Sequence, residues 1–155
     1  MFDLEIPRII AHRGASQLCP ENTIPAMVQA AKQGAQWVEC DCRLSSDNNA
    51  VIIHDRTLRR TTDGRGRVDQ YSLLQLQRLQ IVSRYDTSST IRIPTLRELF
   101  EVIHLNNLGL NLEIKTPFGD SAALCRGVQQ AMHEGPLNKH KFLISIDAIN
   151  PIAPR

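Results

Sequence analysis

Short apolar stretches alternate along this chain with longer ones in which apolar residues recur at helical spacing. This alternation constrains the fold more than any other feature. Strands separated by helices imply a largely parallel sheet, because a parallel pair needs a long crossover and a helix supplies it. Strand-like runs are expected at residues 8–11, 37–44, 50–54, 110–114 and 142–146. Helices are expected at 22–33, 72–80, 95–105 and 121–134. In the first helix Ile24, Met27, Val28 and Ala31 recur at helical spacing and Gly34 follows its end. In the third, Thr95 is a fitting N-cap with Glu98 at the capping-box position, and Leu96, Leu99, Phe100 and Ile103 line one face. Residues 45–49 read as a hairpin-like turn, 63–67 as a loop and 85–93 as a polar, irregular segment.

A length of 155 residues suits one domain, residues 1–155, with a real core. With 42% hydrophobic and 22% charged residues, the chain reads as globular, not disordered. A net charge of +2 is too small to argue for nucleic acid or a membrane surface as partner. Arg56, Arg59, Arg60, Arg65 and Arg67 form the only local basic cluster and read as a solvated loop. No apolar run approaches the ~20 residues of a membrane span. Met1-Phe2-Asp3-Leu4-Glu5 lacks the basic start of a signal peptide, so a cytoplasmic location is expected. Cys19, Cys40, Cys42 and Cys125 show no CxxC spacing and read as reduced thiols, with Cys40 and Cys42 facing away from Glu39 and Asp41.

Parallel strands buried on both faces should be almost continuously apolar. Two runs break that rule, at Glu39 and Asp41 and at Asn111, Glu113 and Lys115. Such violations belong at functional sites. Side chains two apart in a strand share a face, so Glu39, Asp41 and Arg43 point one way, as do Asn111, Glu113 and Lys115. If both sets face the inside of a barrel, three carboxylates converge, and their mutual repulsion calls for a cation. Hard oxygen ligands suit Mg²⁺ or Ca²⁺. The alternative is three separate surface carboxylates, each paired with a Lys or Arg.

His12 and His54 each follow an apolar run, next to Arg13 and Asp55 respectively. Phosphodiester cleavage needs one group to take a proton and another to give one, and imidazole serves either way near neutral pH. Arg13 and Lys115 are fixed positive charges suited to phosphate oxygens. Arg13 has a second reading, as a bridge to Glu21, and Asn22 reads as a helix N-cap. His104, His133 and His140 read as ordinary surface or packing residues. Together these residues describe a metal-assisted phosphodiesterase site.

The same pieces resemble the glycerophosphodiester phosphodiesterase family, of the cytosolic bacterial type. They are AHRG at 11–14, PENT at 20–23, VECDCRLSSD at 38–47, VIIHD at 51–55, IPTLREL at 93–99 and LNLEIK at 110–115, in family order. The resemblance implies an α/β fold of the TIM (β/α)8-barrel type, with a small insertion at 56–92. It implies a divalent cation, Mg²⁺ or Ca²⁺, on Glu39, Asp41 and Glu113. It implies His12 and His54 as the acid–base pair, with Arg13 and Lys115 on the substrate phosphate. Family members hydrolyse glycerophosphodiesters to sn-glycerol 3-phosphate and an alcohol. The neighbouring glycerol hydroxyl serves as internal nucleophile, and water then opens a cyclic phosphate.

A TIM barrel typically takes about 250 residues and eight strands. This chain has room for roughly the first five strand units, so an incomplete, C-terminally truncated barrel is expected. Open barrel edges expose unpaired strands and favour self-association. The reading beside a working enzyme is therefore a non-catalytic fragment, inactive or needing a partner chain. Related phospholipase-like barrels are a further option, but nothing in the sequence offers the lipid-facing surface they need.

Overall fold

The computed structural model of the chain describes residues 6–82, 90–115, 121–136 and 141–146. The acidic start, His140, the tail from 147 and most of the polar segment 85–93 lie outside the described residues. The elements in order are helix α1 (Ile24–Lys32), strands β1 (Trp37–Leu44) and β2 (Ala50–Ile52), and two 3-10 turns, Leu58–Arg60 and Val68–Gln70. They continue with helices α2 (Leu73–Leu76) and α3 (Leu96–Leu105), strand β3 (Gly109–Ile114), helix α4 (Ser121–Glu134) and strand β4 (Phe142–Ile146). The sheet order is β2-β1-β3-β4. β1 runs parallel to β3, and β3 parallel to β4. β2 is antiparallel to β1, because the turn at 45–49 is too short for a crossover.

The expected run at 8–11 is not a strand. It contributes a single parallel bridge, Ala11 to Val38, in which the Ala11 N–H donates to the Trp37 carbonyl and the Glu39 N–H to the Ala11 carbonyl. β1 therefore meets Ala11 on the lower half of one edge and β2 on the upper half. Four strands, not five, are formed among the described residues. The expected helix at 72–80 shortens to α2, one turn opened by a Ser72–Gln75 capping box.

Parity decides what each strand buries. Val38, Cys40, Cys42 and Leu44 of β1 and Leu110, Leu112 and Ile114 of β3 join the main core with Met27, Leu99, Phe100, Ile103 and Leu124 from α1, α3 and α4. The cysteines thus face the helices, as expected, and no disulfide forms among the described residues. The N-cap of α3 holds as read: the Thr95 hydroxyl accepts from the Glu98 N–H at 3.1 Å while the Glu98 carboxylate accepts from the Thr95 N–H at 2.7 Å. α1 buries Ala26, Met27 and Ala30, while Ile24 and Val28 are only half-buried. β2 and the residue that follows it serve two cores by alternation. Ala50 and Ile52 face the main one, while Val51 and Ile53 join Leu58, Val68, Leu76 and Ile93 in a second cluster beneath the segment that follows β2. The opposite faces of β1 and β3 are left to Glu39, Asp41, Arg43, Asn111 and Glu113. Among the described residues no helix is long and apolar enough to cross a membrane.

Candidate active site

In the parallel β1–β3 pair Glu39 sits opposite Asn111 and Asp41 opposite Glu113. One carboxylate oxygen from each of Glu39, Asp41 and Glu113 lies within 4.8 Å of the others. The three are neither separate nor on the surface, because Glu39 and Asp41 are buried and Glu113 half-buried. Asp41 is fully buried and meets Arg13 Nε at 3.2 Å and Lys115 Nζ at 3.3 Å. Lys115 also meets Glu113 at 2.5 Å. Two cations are thus drawn into the same cluster. Burial holds the lysine down, but Glu113 and Asp41 outweigh it and raise its proton affinity.

Glu39 is the carboxyl of the cluster whose proton affinity is pushed up most clearly. Its Oε2 accepts the Arg13 backbone N–H at 2.9 Å, and its buried Oε1 has no hydrogen-bond partner. Burial, and next the Asp41 charge, push its carboxyl up to about 7. A buried carboxylate oxygen without a donor is costly. A divalent cation would satisfy it and offset the repulsion among the three carboxylates. The residues present therefore fit such an ion.

The chain reaches this cluster from the loop after Ala11. Arg13 and Asn22 both have positive φ, +57° and +56°, and the Asn22 N–H donates to the Arg13 carbonyl at 3.1 Å. Gly14 lies between them with φ +77°, and a Cβ there would meet the Ala26 backbone at 2.8 Å. The loop is wound so tightly against α1 that only glycine fits. His12 stands at its rim, 67% exposed, with Nε2 at 3.8 Å from Glu39. Arg13 Nη1 donates to Glu21 at 2.9 Å, so the bridge to Glu21 forms alongside the contact to Asp41.

Asn22 does not cap a helix. Thr23 does, accepting the Ala26 N–H, with Pro25 in the first turn. Asn22 is buried and braces Asp41 twice: its amide donates to Asp41 Oδ2 at 2.8 Å and its carbonyl accepts the Asp41 N–H at 3.1 Å. Sequence reasoning assigned it the ordinary role. The overlooked signal was Thr23 followed by Pro25, a better helix start one residue later.

His54 lies two residues beyond β2. Its Nδ1 meets Asp55 Oδ1 at 2.7 Å, and its carbonyl accepts from Arg43 Nε at 2.7 Å. The sequence pattern places Arg60 in a solvated loop. Arg60 instead binds Asp55 and Glu21 together. Its hydrogen bond is the main reason that the Asp55 carboxyl drops to about 2 and that of Glu21 also falls. His104 and His133 are exposed on their helices, as expected.

The sequence profile of the Glycerophosphoryl diester phosphodiesterase family matches residues 12–137. The chain belongs to this family. A glycerophosphodiester phosphodiesterase of Caldanaerobacter subterraneus subsp. tengcongensis is 41% identical over 109 residues, which are 70% of this chain and 45% of that protein. The human glycerophosphodiester phosphodiesterase 1 is 40% identical over 109 residues, 68% of this chain and 33% of that protein. Among solved structures, a phosphodiesterase of Oleispira antarctica, in complex with the product sn-glycerol-3-phosphate, superposes with a TM-score of 0.82 at 35% identity. That match covers 91% of this chain and 57% of the other. A glycerophosphodiester phosphodiesterase of Agrobacterium tumefaciens gives a TM-score of 0.76 at 28% identity, covering 92% and 59%. The α/β architecture is thus that of the family's barrel structures. The chain spans about half the length, or less, of the relatives it matches.

Proposed function

We propose that this chain carries the site for hydrolysis of glycerophosphodiesters to sn-glycerol 3-phosphate and an alcohol. One observation carries the reading: Glu39, Asp41 and Glu113 converge within 4.8 Å, with Glu39 Oε1 buried and unpartnered. The family membership and the product complex of the Oleispira antarctica relative support it.

In this reading Glu39, Asp41 and Glu113 hold Mg²⁺ or Ca²⁺, which when bound supplies positive charge for the phosphoryl oxygens. Arg13 and Lys115 add fixed charge beside the same oxygens. They already touch Asp41, so the phosphate competes with the carboxylate for their donors. Asn22 keeps Asp41 turned toward the cluster. His12 and His54 move the protons. One imidazole takes the proton of the glycerol hydroxyl next to the phosphate as that oxygen attacks phosphorus. The other gives a proton to the departing alcohol oxygen. Water then opens the cyclic phosphate with the two roles reversed. Residues 56–92 form an insertion in this reading, and one part of it, Arg60, faces the site.

A second reading has its own support. β4 is the end strand of the described sheet, and its Ile144 and Ile146 are 47% and 65% exposed. On the other side Ile9 is 83% exposed. Such edges favour pairing with another strand. The chain would then be inactive alone, and self-associate or need a second chain.

The test is release of glycerol 3-phosphate from glycerophosphocholine by the purified chain. Turnover that needs Mg²⁺ or Ca²⁺ and stops with a chelator is the expected result. No release, with an oligomer by sedimentation, would favour the second reading. Release that persists in chelator would overturn the assignment of the three carboxylates.

A further inference from the structure

We propose that Arg60 is a positioning residue, whose guanidinium clamps Glu21 to Asp55 and thereby fixes the His54 imidazole relative to Arg13 and the carboxylates. The inference rests on the reading of His54 and Arg13 given above. Arg60 Nε and Nη2 donate to the two Asp55 oxygens at 2.7 and 3.0 Å. Its Nη1 and Nη2 donate to the two Glu21 oxygens at 2.8 and 2.7 Å. Asp55 in turn holds His54 Nδ1 at 2.7 Å. Glu21 holds Arg13 Nη1 at 2.9 Å, and Arg13 Nε reaches Asp41 at 3.2 Å. The contacts run unbroken as His54, Asp55, Arg60, Glu21, Arg13, Asp41. Arg43 Nε donates to the His54 backbone carbonyl at 2.7 Å, a contact to the main chain and not to the imidazole.

The clamp holds in place the carboxylate that decides which imidazole nitrogen is used. Asp55 is ionised at neutral pH, as a carboxyl with its ordinary value of 3.8 already is, and Arg60 lowers it further, to about 2. It can only accept, so His54 Nδ1 carries the proton, and Nε2 remains for the reaction. Without Arg60, Asp55 has one neighbour fewer to hold its plane, and the imidazole can turn or change tautomer. A stabilising role is the weaker explanation. The Arg60 side chain is 46% exposed, where an ion pair adds little to stability. What the site uses is the planar fork, which grips two carboxylates at once and which lysine lacks.

The test is ¹⁵N-resolved imidazole spectroscopy of the full chain, as wild type, Arg60→Met and Arg60→Lys, with His54→Gln to assign the signal. In the wild type His54 should show one tautomer, protonated at Nδ1. In both variants this signal should move toward a tautomer mixture or broaden, while His104, His133 and the melting temperature stay put. Where turnover is measurable, kcat should fall about 10- to 100-fold, as for other lost supporting hydrogen bonds, with KM little changed. A His54 signal identical in wild type and Arg60→Met would overturn the proposal. So would a large fall in melting temperature, which would make Arg60 structural. If the wild type shows no turnover, the proposed function fails while the spectra still decide the role of Arg60.

Discussion

Asp41 and His54 flank the same site but are held by different kinds of structure. Asp41 lies inside a strand paired on both sides, is fully buried, and is gripped by Asn22, Arg13 and Lys115. His54 lies past the end of a three-residue strand, with its side chain 32% exposed and held by Asp55. The carboxylates inherit their geometry from the β1–β3 register, as rigid as the sheet itself. The histidines stand on loops, and their geometry depends on a few polar contacts. In the proposed reading, cation binding would therefore be tied to the folding of the chain, whereas proton transfer could be lost with the fold intact.

The strongest challenge to this contrast is Asp41→Ala. It should cost about 3–5 kcal/mol of stability, because buried Lys115 and half-buried Arg13 lose a shared partner. It should also remove cation binding. Urea denaturation with and without Mg²⁺ measures both, and a variant as stable as wild type would erase the distinction. His54→Ala should do the reverse. Turnover should fall about 10²- to 10⁴-fold while the denaturation midpoint hardly moves. Gly14→Ala probes whether the His12 loop rests on backbone packing. Its φ of +77° and the 2.8 Å approach to Ala26 should cost about 1–3 kcal/mol, read from the same denaturation curves.

The pH response sharpens the contrast further. The Glu39 carboxyl is raised from 4.5 to about 7 in the fold. Between those values the folded chain keeps a proton that the unfolded chain releases, so this group's contribution to stability falls as pH rises. A cation must displace that proton, so affinity should grow as pH rises toward about 7 and then level off. Below that point the change approaches about tenfold per pH unit, measurable by calorimetric titration at several pH values. Asp55 behaves oppositely: its carboxyl is lowered from 3.8 to about 2, so its contribution is kept above the first value and lost as pH falls through the second.

Much of this was legible in the sequence, and the reason differs by residue. Glu39, Asp41 and Glu113 could be placed because strand parity is rigid and charge in an otherwise apolar strand is conspicuous. The third helix was read down to its cap, since Thr95 and Glu98 act within one turn. The run at 8–11 failed as a strand because its pairing to β1 reduces to one bridge, a matter of tertiary contact that local pattern does not encode. Arg60 escaped because its partners lie 5 and 39 residues away, and only the turn at Leu58–Arg60 brings them together. Arg43 was placed on the carboxylate face correctly, but its grip on the His54 carbonyl depends on the β1–β2 hairpin register.

The central claim is that carboxylates from two parallel strands hold one divalent ion together. Calorimetric titration of Mg²⁺ and Ca²⁺ at pH 8 into the wild type and into Glu113→Gln tests it most directly. The expected result is one ion per wild-type chain and binding lost in the variant. Equal binding by the two, or no binding by a folded wild type, would contradict it.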